Sequence, residues 1–179
     1  FPILPVHFTI PACKHQAQSI ATNYGQVHRL LSLYPHLMVF YNGPKCGASA
    51  PDHFQAGTSG ILPIQKHWKA LWRTSKPLLT LDNKDGIYAI EDYICPALAI
   101  VSHNEEHDTQ LFQTIYNALL LKEDESEPMM NIVSWRDEEH FISVVFPRQK
   151  HRPACYSAEG EAQYLVSPGS LDMGGLLIL

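Results

Sequence analysis

The sequence has no excess of positive charge, and this lack excludes one large class of function. Its 179 residues include 13 Lys and Arg against 18 Asp and Glu, which gives a formal net charge of -5. A nucleic-acid scaffold neutralises phosphates with an excess of Lys and Arg on one face. We therefore expect no nucleic-acid partner, whereas a small phosphorylated ligand needs only a local basic cluster.

Paired cysteines and long apolar runs are absent as well. The four cysteines lie far apart and form no C-x-x-C pair, so neither a zinc ribbon nor a disulfide framework is expected. No apolar run approaches the roughly 20 residues that a membrane-spanning helix needs. The sequence therefore predicts a cytoplasmic protein with no membrane partner.

The composition that remains is that of an ordinary globular domain. The chain is 45% hydrophobic and 17% charged, and it is long enough to bury a substantial core. Its ends, "FPILPVHFTIPA" and "GGLLIL", both resemble strands. We expect a single domain over residues 1–179 that lacks an N-terminal region.

Apolar periodicity and turn residues predict an α+β fold with a largely antiparallel sheet and flanking helices. Strands are predicted over 1–11, 36–42, 53–57, 95–102, 130–135 and 140–146, with a hairpin over 76–93 that turns near 84–86. Helices are predicted over 16–33, 64–72 and 103–121, and the charged stretch 122–127 is interpreted as a solvated connector. A weak repeat of helix, buried strand, turn and strand is compatible with a domain built from two degenerate halves.

The stretch "YNGPKCGASAPDHFQAG", residues 41–57, combines a small-residue loop with polar side chains on a strand. Without bulky side chains, Gly43, Gly47 and Ser49 let backbone N–H groups approach a ligand closely, and Lys45 adds a positive charge suited to phosphate. On a strand, His53 and Gln55 point to the same side. An imidazole beside a carboxamide can attack a phosphorus and bind its oxygens.

These residues resemble the histidine-triad superfamily, in its branch with galactose-1-phosphate uridylyltransferase, diadenosine tetraphosphate phosphorylase and the GDP-hexose phosphorylases. Members carry His-x-His-x-Gln on a strand, and "DHFQAG" is similar, with His53 at the second His and Gln55 at the Gln. The segment "FPILPVHFTIP", with His7, and the tract "NIVSWRDEEHFISVVFPRQ" are similar to further parts of the family. The resemblance implies a histidine-triad-like domain whose second half, about 95–179, is degenerate.

The resemblance also implies a function. In the family the second His takes up a nucleoside monophosphate covalently and the Gln holds a phosphate oxygen, so His53 and Gln55 are expected to be catalytic. The implied reaction is nucleotidyl transfer or phosphorolysis on a nucleotide sugar or dinucleotide, with phosphate or a sugar phosphate as the acceptor. Lys45, Gly43, Gly47 and Ser49 are expected to bind the phosphates, together with Arg148 and Lys150.

The chain departs from the family pattern at one position. Pro51 stands where the family has its first His, a residue that can ligate a structural zinc in the uridylyltransferases. We therefore expect no zinc and no cofactor, although a divalent cation accompanying the nucleotide is compatible with the site. A homodimer is compatible with the resemblance.

Other interpretations of the same residues stay open. The chain could be a catalytically silent relative that binds a nucleotide, and Cys46 could act with His53 as its base in a Cys-dependent acyl transferase. The cluster "PRQKHRP", which holds Arg148 and Lys150, could be a solvated surface. His103 and His107 have the spacing of metal ligands, but an exposed helix start is the better interpretation.

Overall fold

The computed structural model describes residues 3–14, 19–47 and 53–178, and these residues form an α+β fold. The strands are β1 His7–Pro11, β2 Leu37–Asn42, β3 His53–Thr58, β4 Lys76–Thr80, β5 Gly86–Ala89, β6 Leu98–Ser102, β7 Met130–Arg136 and β8 Phe141–Pro147. The helices are α1 Gly25–Leu33, α2 Pro63–Lys66, α3 Trp68–Thr74, α4 Glu105–Ala118 and α5 Ser170–Met173. One sheet contains the eight described strands in the order β1-β3-β2-β7-β8-β6-β5-β4, and every pair is antiparallel.

The two faces of the sheet carry separate hydrophobic clusters, because successive side chains of a strand point to opposite faces. In β2, Val39 and Tyr41 pack in the cluster that includes α1 and α4. Met38 and Phe40 pack in the other cluster, with residues of α2, α3 and α5. We call these the α1 face and the α5 face. The continuous apolar run of β2 therefore reflects a strand that is covered on both sides.

The predicted fold class, α+β with a largely antiparallel sheet and flanking helices, is confirmed. The predicted helix over 16–33 is too long at its start, since α1 begins at Gly25. Turns precede it, with the N–H groups of Asn23, Gln26 and Val27 each bonded to the carbonyl three residues earlier. Those bonds wind the chain more tightly than an α-helix. Gln16, where the prediction started the helix, lies outside the described residues.

The turn of the β4–β5 hairpin lies slightly earlier than its predicted position near 84–86. A 3₁₀ turn over Asp82–Lys84 makes it, with Asn83 and Lys84 at φ 58° and 65°. Gly86 already belongs to β5, where a Cβ atom would lie 2.4 Å from the carbonyl oxygen of Leu79. This glycine is therefore required for close strand approach rather than for the turn itself.

The charged stretch 122–127 is not solvated throughout. Glu127 is fully buried, where it accepts a hydrogen bond from the backbone N–H of Ile20 at 2.8 Å and from the Tyr41 hydroxyl. A buried carboxylate persists only when hydrogen bonds replace its hydration. The prediction of a solvated connector was wrong at this residue, because its carboxylate links the turns before α1 to strand β2.

One further feature, the edge strand β1, frames the candidate site. Strand β1 forms one edge of the sheet and pairs only with β3 among the described strands, which brings His7 opposite Gly57.

The longest described helix, α4, has 14 residues. Across the described ranges, no helix combines the length and apolar character needed to cross a membrane.

Candidate functional site

The predicted catalytic pair lies on β3, between β1 and β2. Gln55 pairs with Phe40 of β2 and with Thr9 of β1, so its side chain shares the α5 face with Phe40. His53 is two residues earlier on the same strand and is only 8% exposed. The alternation of the strand therefore brings the imidazole and the carboxamide to one side, as the spacing predicts.

Hydrogen bonds connect Gln55 to two histidines. Its Oε1 accepts from Nε2 of His7 at 2.8 Å, while Nδ1 of His7 accepts from the N–H of Ile3 at 3.4 Å. The Gln55 amide nitrogen lies 3.3 Å from Nε2 of His53. Because an amide nitrogen only donates, Nε2 of His53 is the acceptor and its proton resides on Nδ1. The contacts thus assign His53 the tautomer that carries a lone pair on Nε2.

A buried polar network lies beside this pair, at the end of β2. The Asn131 amide donates to Oδ1 of Asn42 at 2.8 Å and to the Cys46 carbonyl at 2.7 Å. Ser170 adds two bonds to the same Asn42 oxygen, from its N–H at 2.7 Å and its hydroxyl at 2.8 Å. The network joins β2, β7, the loop after β2 and the start of α5.

Arg148 anchors the same network from its other side. Its guanidinium donates to Oδ1 of Asn131 at 2.6 Å and to the Pro168 carbonyl at 2.9 Å. It also donates to the carbonyls of Lys150 and His151, at 3.3 and 3.2 Å. Arg148 is thus near the predicted site, but these contacts hold protein groups in position.

The loop after β2 contains Gly43 and Gly47, and we call it the glycine loop. It packs tightly against the segment before α5. A Cβ atom on Gly47, which has φ 90°, would lie 2.8 Å from Cα of Gly169, and one on Gly43 would lie 2.8 Å from the Met130 carbonyl oxygen. Both positions therefore exclude a side chain. Ser49 and Pro51 lie outside the described residues.

Two predicted phosphate-binding lysines contact other groups. The Lys45 ammonium forms a 2.5 Å ion pair with Glu125, and this contact raises the pKa of Lys45. Lys150 is exposed, and its carbonyl rather than its ammonium is held by Arg148. Among the described residues, the structure gives neither lysine a side-chain contact with His53 or Gln55. Their roles in phosphate binding stay predictions.

Small cavities adjoin both catalytic candidates. One of about 260 Å³ lies between the sheet, where Asn42 and Gln55 line it, and the C-terminal segment, where Gly169 and Asp172 line it. Another of about 210 Å³ is lined by His53 together with residues of β1 and α1, so it lies on the α1 face, opposite to the face that carries the Gln55 side chain. The first cavity lies against the glycine loop, so it is the better candidate for phosphate groups.

The chemistry of Cys46 speaks against a thiol nucleophile. Its side chain is fully buried, and burial raises the pKa of the thiol to about 11. A thiol with that pKa is protonated at neutral pH, whereas the thiolate is the nucleophile. The buried thiol of Cys46 is therefore unsuited to act as a nucleophile.

The histidines with metal-ligand spacing contact a buried carboxylate. His103 and His107 approach the two oxygens of Asp85 through their Nδ1 atoms, at 2.5 and 2.6 Å. In the part of the chain that the structure describes, no group of three or more His, Cys, Asp and Glu side chains is arranged to hold a metal ion. These residues therefore tie the hairpin turn to the start of α4.

Sequence reasoning missed the network partners Asn42, Asn131 and Ser170. A signal was present for two of them, since an Asn stands at the end of the apolar run "LMVFYN" and another near the start of "MNIVSW". Buried Asn at a strand end is informative because it must find hydrogen-bond partners. Nothing in the sequence indicates that the two strands are neighbours.

Comparison with known proteins shows the fold. A family model described as a domain of unknown function, DUF4922, matches residues 1–58, which is less than half of the chain. No curated protein sequence matches significantly. A crystal structure of a DUF4931 family protein from Bacillus cereus is 16% identical with a TM-score of 0.57, over 98% of this chain and 92% of that one.

Two structures of the yeast Ap4A phosphorylase Apa2 are similar too. One is 18% identical with a TM-score of 0.59, and the other, in complex with Ap4A, is 14% identical with a TM-score of 0.57. Each likeness covers 98% of this chain but only 60% and 61% of the phosphorylase, so this chain spans about three fifths of that enzyme. The chain therefore has the histidine-triad-like fold that the sequence resemblance predicts.

Proposed function

We propose that the protein transfers a nucleotidyl group through a covalent bond to His53, with a dinucleoside polyphosphate or a nucleotide sugar as the donor. Phosphate or a sugar phosphate is the acceptor, so the reaction is a phosphorolysis or a nucleotidyl transfer. The fold shared with a phosphorylase that binds Ap4A supports the dinucleotide as the first substrate to test.

The observation that carries this proposal is the 3.3 Å contact between the Gln55 amide and Nε2 of His53. It identifies Nε2 as the nitrogen with the lone pair, which is the group that attacks phosphorus. The distance is long for a hydrogen bond, so a phosphoryl oxygen can replace Nε2 as the acceptor at small cost. Gln55 then binds the substrate while it releases the nucleophile.

The reaction balances in two displacements. The lone pair of His53 Nε2 attacks the α-phosphorus, a P–N bond forms, and the P–O bond to the leaving nucleotide or sugar phosphate breaks with its electron pair on that oxygen. An acceptor phosphate oxygen then attacks the same phosphorus, and the electron pair of the P–N bond returns to Nε2. The proton on Nδ1 stays in place throughout.

The remaining predicted residues have supporting roles in this proposal. Backbone N–H groups around Gly47 and Ser49 stabilise charge on the phosphoryl oxygens, a contribution of about 3 kcal/mol for a well-oriented donor. The N–H of Gly43 donates to the Met130 carbonyl instead, so Gly43 acts by letting the loop approach β7 closely. Lys45 joins them by exchanging its Glu125 partner for phosphate. Arg148 acts by holding Asn131 and the segment before α5, and Lys150 meets the distal phosphate.

The test is the intact mass of the protein after incubation with Ap4A or with nucleoside diphosphate sugars. We expect a gain of one nucleoside monophosphate that is discharged by phosphate or a sugar phosphate. His53→Asn should abolish the gain and lower turnover by about 10⁴-fold or more. His36→Asn, at an exposed histidine before β2, is the matched control and should behave as the wild type.

Each alternative predicts a different result. A silent nucleotide-binding relative would bind the substrate and form no adduct with any donor. A Cys-dependent enzyme would lose activity in step with alkylation of the buried Cys46. The proposal expects adduct formation to continue in protein alkylated at the exposed Cys13. Either alternative result would overturn the covalent His53 mechanism.

A further inference from the structure

A large groove lies on the α5 face at the opposite end of the sheet from the Asn42–Asn131 network. Its volume is about 980 Å³, and strands β6, β7 and β8 contribute Val101, Trp135 and Ile142 to it. Trp135 is four residues beyond Asn131 on β7, which separates them by roughly 13 Å along the strand. The groove is therefore a different cavity from the two beside His53 and Gln55.

Aromatic rings form much of this groove. Trp68 and Trp72 of α3 line it, with ring centres 5.7 Å apart, and Trp68 meets Trp135 edge to face at 5.4 Å. Trp135 is buried in the core, whereas Trp68 and Trp72 are only partly buried. The chain contains three tryptophans in all, so every one of them lines the same groove.

The rim of the groove carries a local excess of positive charge. Lys66, Lys69 and Lys84 line it, against one carboxylate, Asp137, although the whole chain has a net charge of -5. The ion pairs found within 3–14, 19–47 and 53–178 include none of these three lysines. Asp137 already accepts hydrogen bonds from the N–H groups of Glu139 and His140.

Histidines add hydrogen-bonding groups to the same rim. His103 and His140 both line the groove, with ring centres 4.3 Å apart. Nδ1 of His103 contacts the buried Asp85, which fixes the ring and leaves Nε2 as the nitrogen for a ligand. The groove thus combines apolar rings, ammonium groups and a held imidazole.

We propose that this groove is a second binding site for a nucleoside phosphate, separate from the catalytic site. A base stacks against Trp68 and Trp72, because aromatic faces bind every base in this way. The phosphates meet Lys66, Lys69 and Lys84, whose charges attract an anion and lack a carboxylate partner in the described structure. The volume suits a mononucleotide, since small-molecule pockets span about 300 to 1,000 Å³.

The tryptophans make the proposal directly measurable, because intrinsic Trp fluorescence comes only from residues that line the groove. The experiment titrates AMP, ATP and inorganic triphosphate into the His53→Asn protein with excitation at the red edge of the indole band. We expect saturable quenching by AMP and ATP. The double variant Lys69→Gln and Lys84→Gln should weaken ATP binding by about tenfold, from the loss of two charge contacts.

Two further variants complete the design. Trp72→Leu should weaken AMP binding by about tenfold when followed by calorimetry, as expected for the loss of base stacking. Lys76→Gln is the matched control for the lysines, because Lys76 pairs with Glu91 at the end of the β4–β5 hairpin away from its turn, and it should leave binding unchanged. Circular dichroism confirms that each variant is folded.

The proposal is independent of the catalytic mechanism, and its failure is distinguishable. Quenching that persists in His53→Asn and weakens in the lysine variant supports a second site even if no covalent adduct ever forms. Quenching that occurs in the wild type but is lost in His53→Asn would mean a single site and would overturn the proposal. Equal binding of triphosphate and ATP, insensitive to Trp72→Leu, would overturn it too, as would no quenching at millimolar nucleotide.

Discussion

Nε2 of His7 donates a hydrogen bond to Oε1 of Gln55 across 2.8 Å, and this bond determines which end of the Gln55 amide faces His53. With its oxygen engaged, the amide directs its nitrogen toward Nε2 of His53, 3.3 Å away. His7 belongs to edge strand β1, so a residue 46 positions before His53 orients the neighbour of the proposed nucleophile. His7 is thus a positioning residue.

Replacing His7 tests this role. His7→Leu removes the donor, so the Gln55 amide can turn its oxygen toward His53, and we expect adduct formation to slow by about tenfold, the worth of one net hydrogen bond. His7→Gln keeps an N–H donor and should recover most of the rate. The measurement is the rate of nucleotidyl-protein formation by quenched mass spectrometry. Equal rates for His7→Leu and the wild type would refute the positioning role.

Gln55→Glu separates the chemistry of the amide from its shape. The carboxylate still accepts from His7, so we expect the free energy of unfolding to change by less than about 1 kcal/mol. It has no N–H donor for a phosphoryl oxygen, and its charge repels phosphate, so adduct formation should fall by about 10² to 10³-fold. Gln55→Leu, which is uncharged, should lose less. A rate for Gln55→Glu close to wild type would contradict the proposed role of the amide.

The sequence predicts the parts of this fold whose signals are local. Apolar runs predict the strands around β2, β7 and β8, because each is a largely hydrophobic segment bounded by turn residues. The start of α1 could not be predicted in this way. Apolar positions 20 and 24 fit a helix, but hydrogen bonds to distant residues, such as the one that the Ile20 N–H donates to the Glu127 carboxylate, determine how the chain enters it.

The candidate site divides along the same line. His53 and Gln55 are two residues apart on one strand, so their common direction follows from the sequence alone. His7 and Asn131 come to the site through strand pairing across 48 and 89 residues, to Gln55 and Asn42 respectively. No local pattern determines which strands become neighbours. The predictions of a single domain and of a degenerate second half remain predictions.

Asn131 should be costly to replace, because its side chain forms hydrogen bonds with four groups at once. Asn131→Leu would leave the Cys46 carbonyl without its 2.7 Å donor and Arg148 without its 2.6 Å acceptor, both beside the buried network. We expect a loss of about 3 kcal/mol in the free energy of unfolding. Asn117→Leu, at an exposed position of α4, should change it by less than about 0.5 kcal/mol. Equilibrium urea unfolding measures both, and similar values would contradict the structural role of the network.

Asp108 of α4 predicts how stability depends on pH. Burial raises the pKa of its carboxyl to about 7, and the charges of Asp85 and Glu105 add to the rise, against the hydrogen bond from the Tyr24 hydroxyl. In the unfolded chain an Asp ionises near pH 4. Between these two values the folded protein holds a proton that the unfolded chain has released, so this group makes the folded state less stable as the pH rises.

Asp108→Asn removes that dependence and gives its measurement. The free energy of unfolding of the variant minus that of the wild type should increase by about 2 to 3 kcal/mol between pH 5 and pH 8, since one pKa unit corresponds to about 1.4 kcal/mol. Taking the difference cancels the other titrating groups, which both proteins share. Urea unfolding at several pH values measures it. A flat difference for Asp108→Asn would mean that the buried carboxyl is ionised across this range, with the Tyr24 hydroxyl holding its charge.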